Sequence, residues 1–207
     1  THEVTVGHDD EAKKVSDRLI GGPEQLEIVP IVGMAGLGKT TLAKRVYNDN
    51  SIIYSFHIRL WCTISQVYNM KDLLLQILCS DGKRPGINEE LEILDEHDLL
   101  HKLYQKLKGK RYLVVFDDVW DFSIWNDVRC SFPDEMRSSR ILITSRFSNV
   151  ASQVECGGEP LDLRLLTDIE SLQLLQKKVF GEEDCPQSLH GPSVEIAKFC
   201  KGLPLAI

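Results

Sequence analysis

The chain has 207 residues, 43% hydrophobic and 27% charged, enough to bury a core of its own. A net charge of −7 with a pI near 5.4 leaves no lysine and arginine excess to neutralise phosphates, which argues against nucleic acid or an anionic membrane surface as a partner. No apolar run approaches the length of a membrane span, and six cysteines without a CxxC pair read as free thiols of a reducing cytosol.

Short β-branched and aromatic runs alternate with stretches of helical period, the pattern of an α/β fold with a parallel sheet flanked by helices. Strands are predicted over Glu27–Val32, His57–Thr63, Tyr112–Phe116, Arg140–Thr144 and Leu161–Leu165. Pro30 is out of keeping with a central strand, because proline cannot donate to the ladder. A helix capped by Asn69 carries Leu73, Leu74, Ile77 and Leu78, and a second presents Leu99, Leu100, Leu103 and Leu107 before Gly109 as its C-cap. Between them, Asp81 to Asp95 reads as a mobile acidic loop. The basic run from Lys106 to Arg111 reads as a solvated helix end. Thr167 and Glu170 form a predicted capping box, and that helix is expected to stop at Gly181. A composition shift at residues 150 to 160 divides a β/α part, residues 1–155, from a helical part, residues 156–207, which breaks off in mid-pattern.

Three elements carry chemistry. Gly33-Met34-Ala35-Gly36-Leu37-Gly38-Lys39-Thr40 matches GxxxxGK[ST], directly after an apolar strand and before a helix predicted to begin at Thr41. In this P-loop, glycines let backbone amides turn around phosphate oxygens. Lys39 spans the terminal phosphates, and the Thr40 hydroxyl ligates Mg²⁺. Second, Tyr112 to Phe116 delivers Asp117 and Asp118 to the carboxyl edge of the sheet, where Asp117 suits Mg²⁺ and Asp118 suits an attacking water. Third, Arg140 to Thr144 delivers Arg146 to the same edge, where a guanidinium fork can sense a γ-phosphate. His97 and His101 stand one turn apart but lack the glutamate and third ligand of a zinc helix, and Cys62 has no visible base, so neither is taken as a site.

In this order the motifs resemble the NB-ARC nucleotide-binding module of plant nucleotide-binding leucine-rich-repeat receptors, over essentially the whole chain. Val4 to Glu11, with Val6, is similar to the family's adenine-side segment, and Phe56 to Gln66 to the element after the P-loop helix. Lys110 to Trp120 is similar to its Walker-B element. Trp120 is the residue typical of the coiled-coil class. Ser139 to Arg146 resembles the sensor strand, Leu165 to Gly181 the next helical motif, and Cys200 to Ala206 the GLPL motif, which would put Pro204 on the adenine base. Three positions depart from the pattern: His8 where arginine is usual, Ala35 within the loop, and Ser145 before Arg146.

The resemblance implies a P-loop NTPase fold and a cytoplasmic switch, ADP-bound at rest and ATP-bound when signalling, with slow Mg²⁺-dependent hydrolysis. Gly33, Ala35, Gly36, Leu37, Gly38, Lys39, Thr40 and Thr41 would hold the nucleotide, with Val6, Arg146 and Pro204. Thr40 and Asp117 would hold the metal, and Asp118 would be catalytic. Partners implied are the coiled-coil, winged-helix and leucine-rich-repeat domains of a full receptor and other copies on activation. Two alternatives stay open at this level: a turnover ATPase, and an interaction module that keeps nucleotide as a structural ligand.

Overall fold

The computed structural model describes residues 5–80, 89–121, 123–147, 159–181 and 183–207. In chain order the elements are α1 (Asp9–Ile20), β1 (Glu27–Val32), α2 (Lys39–Tyr47), α3 (Asn50–Ser55), β2 (Ile58–Thr63), α4 (Met70–Cys79) and the short α5 (Glu89–Glu92). They continue with α6 (Glu96–Leu107), β3 (Tyr112–Val119), α7 (Ser123–Val128), β4 (Arg140–Ser145), β5 (Leu161–Asp162), α8 (Asp168–Phe180) and α9 (Gln187–Phe199). Single 3-10 turns follow α7 at Arg129–Ser131 and close the chain at Pro204–Ala206.

The five described strands form one parallel sheet in the order β2-β3-β4-β1-β5. Strands buried on both faces must be apolar throughout, which is why β1 and β4 are buried at every position. Alternation then splits their side chains between two cores. Leu60, Cys62, Tyr112, Val114, Phe116, Ile141 and Ile143 meet α4, α6 and α7 on one face. Val29, Ile31, Leu113, Val115 and Leu142 meet α1, α2 and α3 on the other. From β1 the chain travels to the far edge at β2, returns through β3 and β4, and passes over β1 to β5. Such a reversal opens a crevice at the carboxyl ends of the strands.

The predicted strands all form, β1 with the expected bounds and the others with shifted ones. Pro30 is accommodated because the Val32 carbonyl accepts from Leu163 N, so alternation turns the Pro30 nitrogen to the β5 side, where pairing begins only at Ile31. The last strand is shorter than predicted, Leu161–Asp162 rather than Leu161–Leu165. Arg164 swings away to Glu11 of α1 and Glu170 of α8. The predicted acidic loop is corrected in part: Glu89–Glu92 is helical, and residues 81–88 lie outside the described residues. So does the expected division between residues 155 and 156. The basic run is not simply a solvated helix end. Lys106 Nζ donates to the Leu78 carbonyl, and the Arg111 guanidinium donates to the carbonyls of Ser138, Leu19 and Ile20.

The predicted helix ends agree more closely. Asn69 accepts from Asp72 N, Gly109 follows α6 with φ +73°, and Thr167 and Glu170 form both bonds of the capping box before α8 ends at Gly181. Besides α5, four of the described helices are not marked individually by the sequence: α1, α3, α7 and α9. In α9 the pair Gly191-Pro192 reads as a breaker, yet Pro192 lies inside the helix.

At the opposite edge of the sheet a buried cation organises the turn into β1. Arg140, fully buried, donates to the carbonyls of Gly21, Pro23, Gln25 and Ser139, and its Nε lies 3.7 Å from Glu27 Oε2. Arg18 holds the other Glu27 oxygen at 2.7 Å. Arg140→Met would leave a buried carboxylate short of a partner and several carbonyls unpaired, and should destabilise by about 3–5 kcal/mol. Urea unfolding followed by circular dichroism measures this, and a midpoint within error of wild type would show the network to be dispensable.

Candidate nucleotide-binding site

At the carboxyl edge of β1 the chain turns through Gly33 to Gly38 and enters α2 at Lys39, two residues earlier than predicted. Gly38 caps α2 in the left-handed conformation without a side-chain acceptor, and no acidic residue stands in the first turn. The first amides of α2 therefore point into the crevice with the positive end of the helix dipole. Gly36 also has positive φ, and a Cβ there would come within 2.8 Å of Leu205 Cβ, so the 3-10 turn can lie directly on the loop. Leu205 N donates to the Gly36 carbonyl at 3.2 Å.

Lys39 is 7% exposed, and its Nζ donates to the carbonyls of Gly33 at 2.7 Å and Met34 at 2.9 Å. Burial draws its pKa below the ordinary lysine value, opposed by the nearby Asp118.

Across the crevice, β3 continues past Phe116 to Val119 through a bulge. Phe116 pairs Ile143 and Val119 pairs Ser145, so Asp117 and Asp118 together oppose Thr144. Asp118 adopts φ +57° there, in the left-handed region that few residues other than glycine enter and that aspartate tolerates better than most. Sequence reasoning places both acids after the strand. It misses the device that orients them. The Thr144 hydroxyl donates to Asp117 Oδ1 at 2.6 Å and accepts from Asp118 N at 2.9 Å. Thr40 Oγ1 donates to the same Asp117 oxygen at 2.8 Å, joining P-loop helix to β3. Among the described residues nothing engages Asp117 Oδ2. Arg146 grips Asp118 with two bonds, Nε to Oδ1 at 3.0 Å and Nη2 to Oδ2 at 3.1 Å.

These groups line one cavity of about 620 Å³. Its wall includes Val6, Ala35, Gly36, Leu37, Gly38, Lys39, Thr40, Thr41, Asp117, Asp118, Arg146 and Pro204, which brings together residues nearly 200 positions apart. Gly33 alone of the sequence candidates is off the wall, where its carbonyl holds Lys39. Sequence reasoning does not assign Arg45, Leu174, Lys178 or Leu205 to it. Nothing in their local spacing marks them, because tertiary packing puts them there. His8, the departure in the first segment, lines the cavity with its ring 3.8 Å from Glu11 Oε2, and burial lowers its pKa against the pull of that carboxylate. The weaker lures stay outside: His101 engages Gln105 on an exposed helix face, and Cys62, bonded to Gln76, has its thiol pushed up to about 12 by burial.

The model of the NB-ARC domain matches residues 8–185. The chain belongs to the NB-ARC family. A putative late blight resistance protein homolog of Solanum demissum is 42% identical over 206 residues, and a late blight resistance protein of the same species is 41% identical over 206. These matches cover 100% of this chain and 16% of each relative, so the NB-ARC chain spans about a sixth of their length. Among solved structures, the Aeropyrum pernix ORC2 protein in its ADPNP-ADP complexes aligns with a TM-score of 0.67 at 16% identity, over 100% of this chain and 62% of that one. A signal transduction ATPase with numerous domains from Pyrococcus horikoshii, carrying a tetratricopeptide repeat sensor, aligns with a TM-score of 0.58 at 20% identity, over 98% and 29%. At such identities the agreement concerns the fold alone, a parallel sheet flanked by helices of the kind the sequence pattern anticipates. Among the described residues, no helix is long and apolar enough to cross a membrane.

The helical part is fastened to this core by Arg164. Its Nε reaches Glu11 of α1 at 3.0 Å, and its two terminal nitrogens reach Glu170 of α8 at 2.7 and 2.8 Å. That fork holds the Glu170 carboxyl down at about 2. A carboxylate depressed below its unfolded value near 4.5 contributes stability above that pH and loses it as pH falls toward 2. Glu170→Gln should therefore lower the melting temperature at pH 7 by a few degrees, with the difference from wild type closing between pH 4.5 and pH 2. Differential scanning fluorimetry across that range checks it, and a difference independent of pH would assign the loss to the cap alone.

Proposed function

We propose that this NB-ARC domain is the ADP- and ATP-binding switch of an intracellular plant immune receptor, ADP-bound at rest, ATP-bound when signalling and reset by slow hydrolysis. The observation that carries this reading is the convergence of the P-loop, Asp117, Asp118 and Arg146 on one cavity whose wall Pro204 and Leu205 complete. The identity to the resistance proteins supports the biological setting. In this reading the amides at the start of α2 receive phosphate oxygens, and Lys39 exchanges a loop carbonyl for a phosphate. Pro204 covers the base.

The residues fit a divalent ion of the magnesium type. Thr40 Oγ1 and Asp117 supply hard oxygen donors 2.8 Å apart, and Asp117 keeps a second oxygen in reserve. When bound, Mg²⁺ would neutralise charge between the terminal phosphates. Thr144 holds the Asp117 carboxylate in place for that task. Asp118 is poised at the same edge, but both its oxygens are taken by Arg146. With both oxygens already hydrogen-bonded the carboxylate is less available to an attacking water, which favours a slow switch over a turnover ATPase. Exposed apolar side chains on the helical part, Val179, Ile196 and Phe199, suit contact with the further domains of a receptor such as its coiled coil, winged helix and repeats, or with other copies on activation.

Titration calorimetry with ADP and ATP tests the reading. Lys39→Ala should weaken both nucleotides by roughly tenfold to a hundredfold, the worth of one or two charge-assisted bonds, with the circular dichroism spectrum unchanged. Wild-type affinity in this variant would remove the assignment. The two carboxylates should separate: Asp117→Ala weakens Mg²⁺-dependent binding, whereas Asp118→Ala keeps binding and slows phosphate release in a turnover assay. The reverse pattern would exchange their roles.

A further inference from the structure

Trp120 lies off the cavity wall, yet it touches Arg146, a cation on that wall placed where a terminal phosphate would reach it. The Arg146 guanidinium lies over the Trp120 ring, 4.6 Å from its centroid. Phe147 backs the indole with centroids 5.8 Å apart. The pairing has a structural origin. Val119 and Ser145 are register partners, so Trp120 and Arg146 are the next residues out on two adjacent strands. The Ser145 hydroxyl clips these ends together, donating to the Val119 carbonyl at 2.7 Å and accepting from Phe147 N at 3.1 Å.

Arg146 is therefore held on three sides. One edge of its fork is bonded to Asp118, one face rests on the indole, and the backbone beneath it is fixed by Ser145. Among the described residues Nη1 makes no hydrogen bond, and Arg146 lines the cavity while Trp120 does not. With its side chain 39% exposed, an arginine at a strand end would otherwise sample many rotamers. Stacking on an aromatic face removes that freedom before a ligand arrives, which is how preorganisation raises affinity.

We propose that Trp120 is a positioning residue that holds the Arg146 guanidinium ready for a terminal phosphate, and so sets the preference of the site for a nucleoside triphosphate over a diphosphate. The inference rests on the reading of the cavity as a nucleotide site with Arg146 facing the γ-phosphate. Because Trp120 acts only through Arg146, its effect disappears once the arginine is gone.

The test is calorimetric titration of the 207-residue chain with ADP and with a non-hydrolysable ATP analogue. Wild type, Trp120→Leu, Trp120→Phe, Arg146→Ala and the double variant Trp120→Leu with Arg146→Ala are compared. Trp120→Leu should leave ADP affinity unchanged and reduce the preference for the analogue about two- to fivefold, the factor expected of a partly exposed cation–π contact. Trp120→Phe should fall between the two, since phenyl is the weaker π partner. The double variant should match Arg146→Ala, because coupled residues are not additive. Equal loss of both nucleotides in Trp120→Leu, an unchanged preference in Trp120→Leu or in Arg146→Ala, or additive losses in the double variant would overturn the inference. If wild type binds neither nucleotide, the reading of the cavity itself fails, a result distinct from all of these.

Discussion

The Thr144 hydroxyl occupies the point where the sheet becomes a site. A parallel strand buried on both faces tolerates a carboxylate only where partners are supplied, so β3 can carry the buried Asp117 only by bringing donors to it. It does so through a bulge that sets two residues against one, and the one is Thr144. Its single hydroxyl satisfies the buried Asp117 carboxylate and the amide of Asp118 together. The bulge turns Asp118 to φ +57°, toward Arg146, while Asp117 remains facing Thr40. Two adjacent acids thereby acquire different partners, an uncharged pair of hydroxyls for one and a guanidinium for the other.

The same edge depends on the helical part for its outer wall. Leu205 lies on Gly36, where a side chain larger than hydrogen would collide, and Pro204 and Leu205 complete the cavity. Gly202 permits this approach: a Cβ at its φ of +76° would fall 2.3 Å from the Leu166 carbonyl oxygen. Arg164 spans both parts, and the Glu170 carboxylate that it grips with two nitrogens is also a member of the capping box of α8. A change of contact at the cavity thus has a physical route to the helices, through the turn at Pro204 on one side and through Glu11 beside His8 on the other. In the switch proposed above, a ligand would shift the equilibrium only by what it contacts differently in the two states.

Much of the site was legible in the sequence because its chemistry is local. A GxxxxGK[ST] run between an apolar strand and a helix can do little else, since the loop conformation, the lysine and the hydroxyl are all written within eight residues. The capping box at Thr167 and the glycine after α6 are of the same kind, for each depends on bonds within one turn. The paired carboxylates were legible as a location, at the end of an apolar run, but not as two roles. The acid run from residue 89 misled because charge density resembles a loop even where a helical turn forms.

By itself the sequence determined the α/β alternation, the place of the P-loop motif with Lys39 and Thr40, and the edge of the sheet at which the acids and Arg146 emerge, because periodicity and short-range motifs are properties of neighbouring residues. Strand order, the bulge and the register between β3 and β4 were decided only in three dimensions. They brought Thr144 to the acids, Trp120 to Arg146, and Val6 and Pro204 to the wall of one cavity. The buried Arg140 belongs with these, for as the first residue of an apolar run it carries no mark of burial until five carbonyls and Glu27 converge on it. Such contacts join residues far apart in the chain, and their energies depend on burial and geometry, which no window of sequence contains.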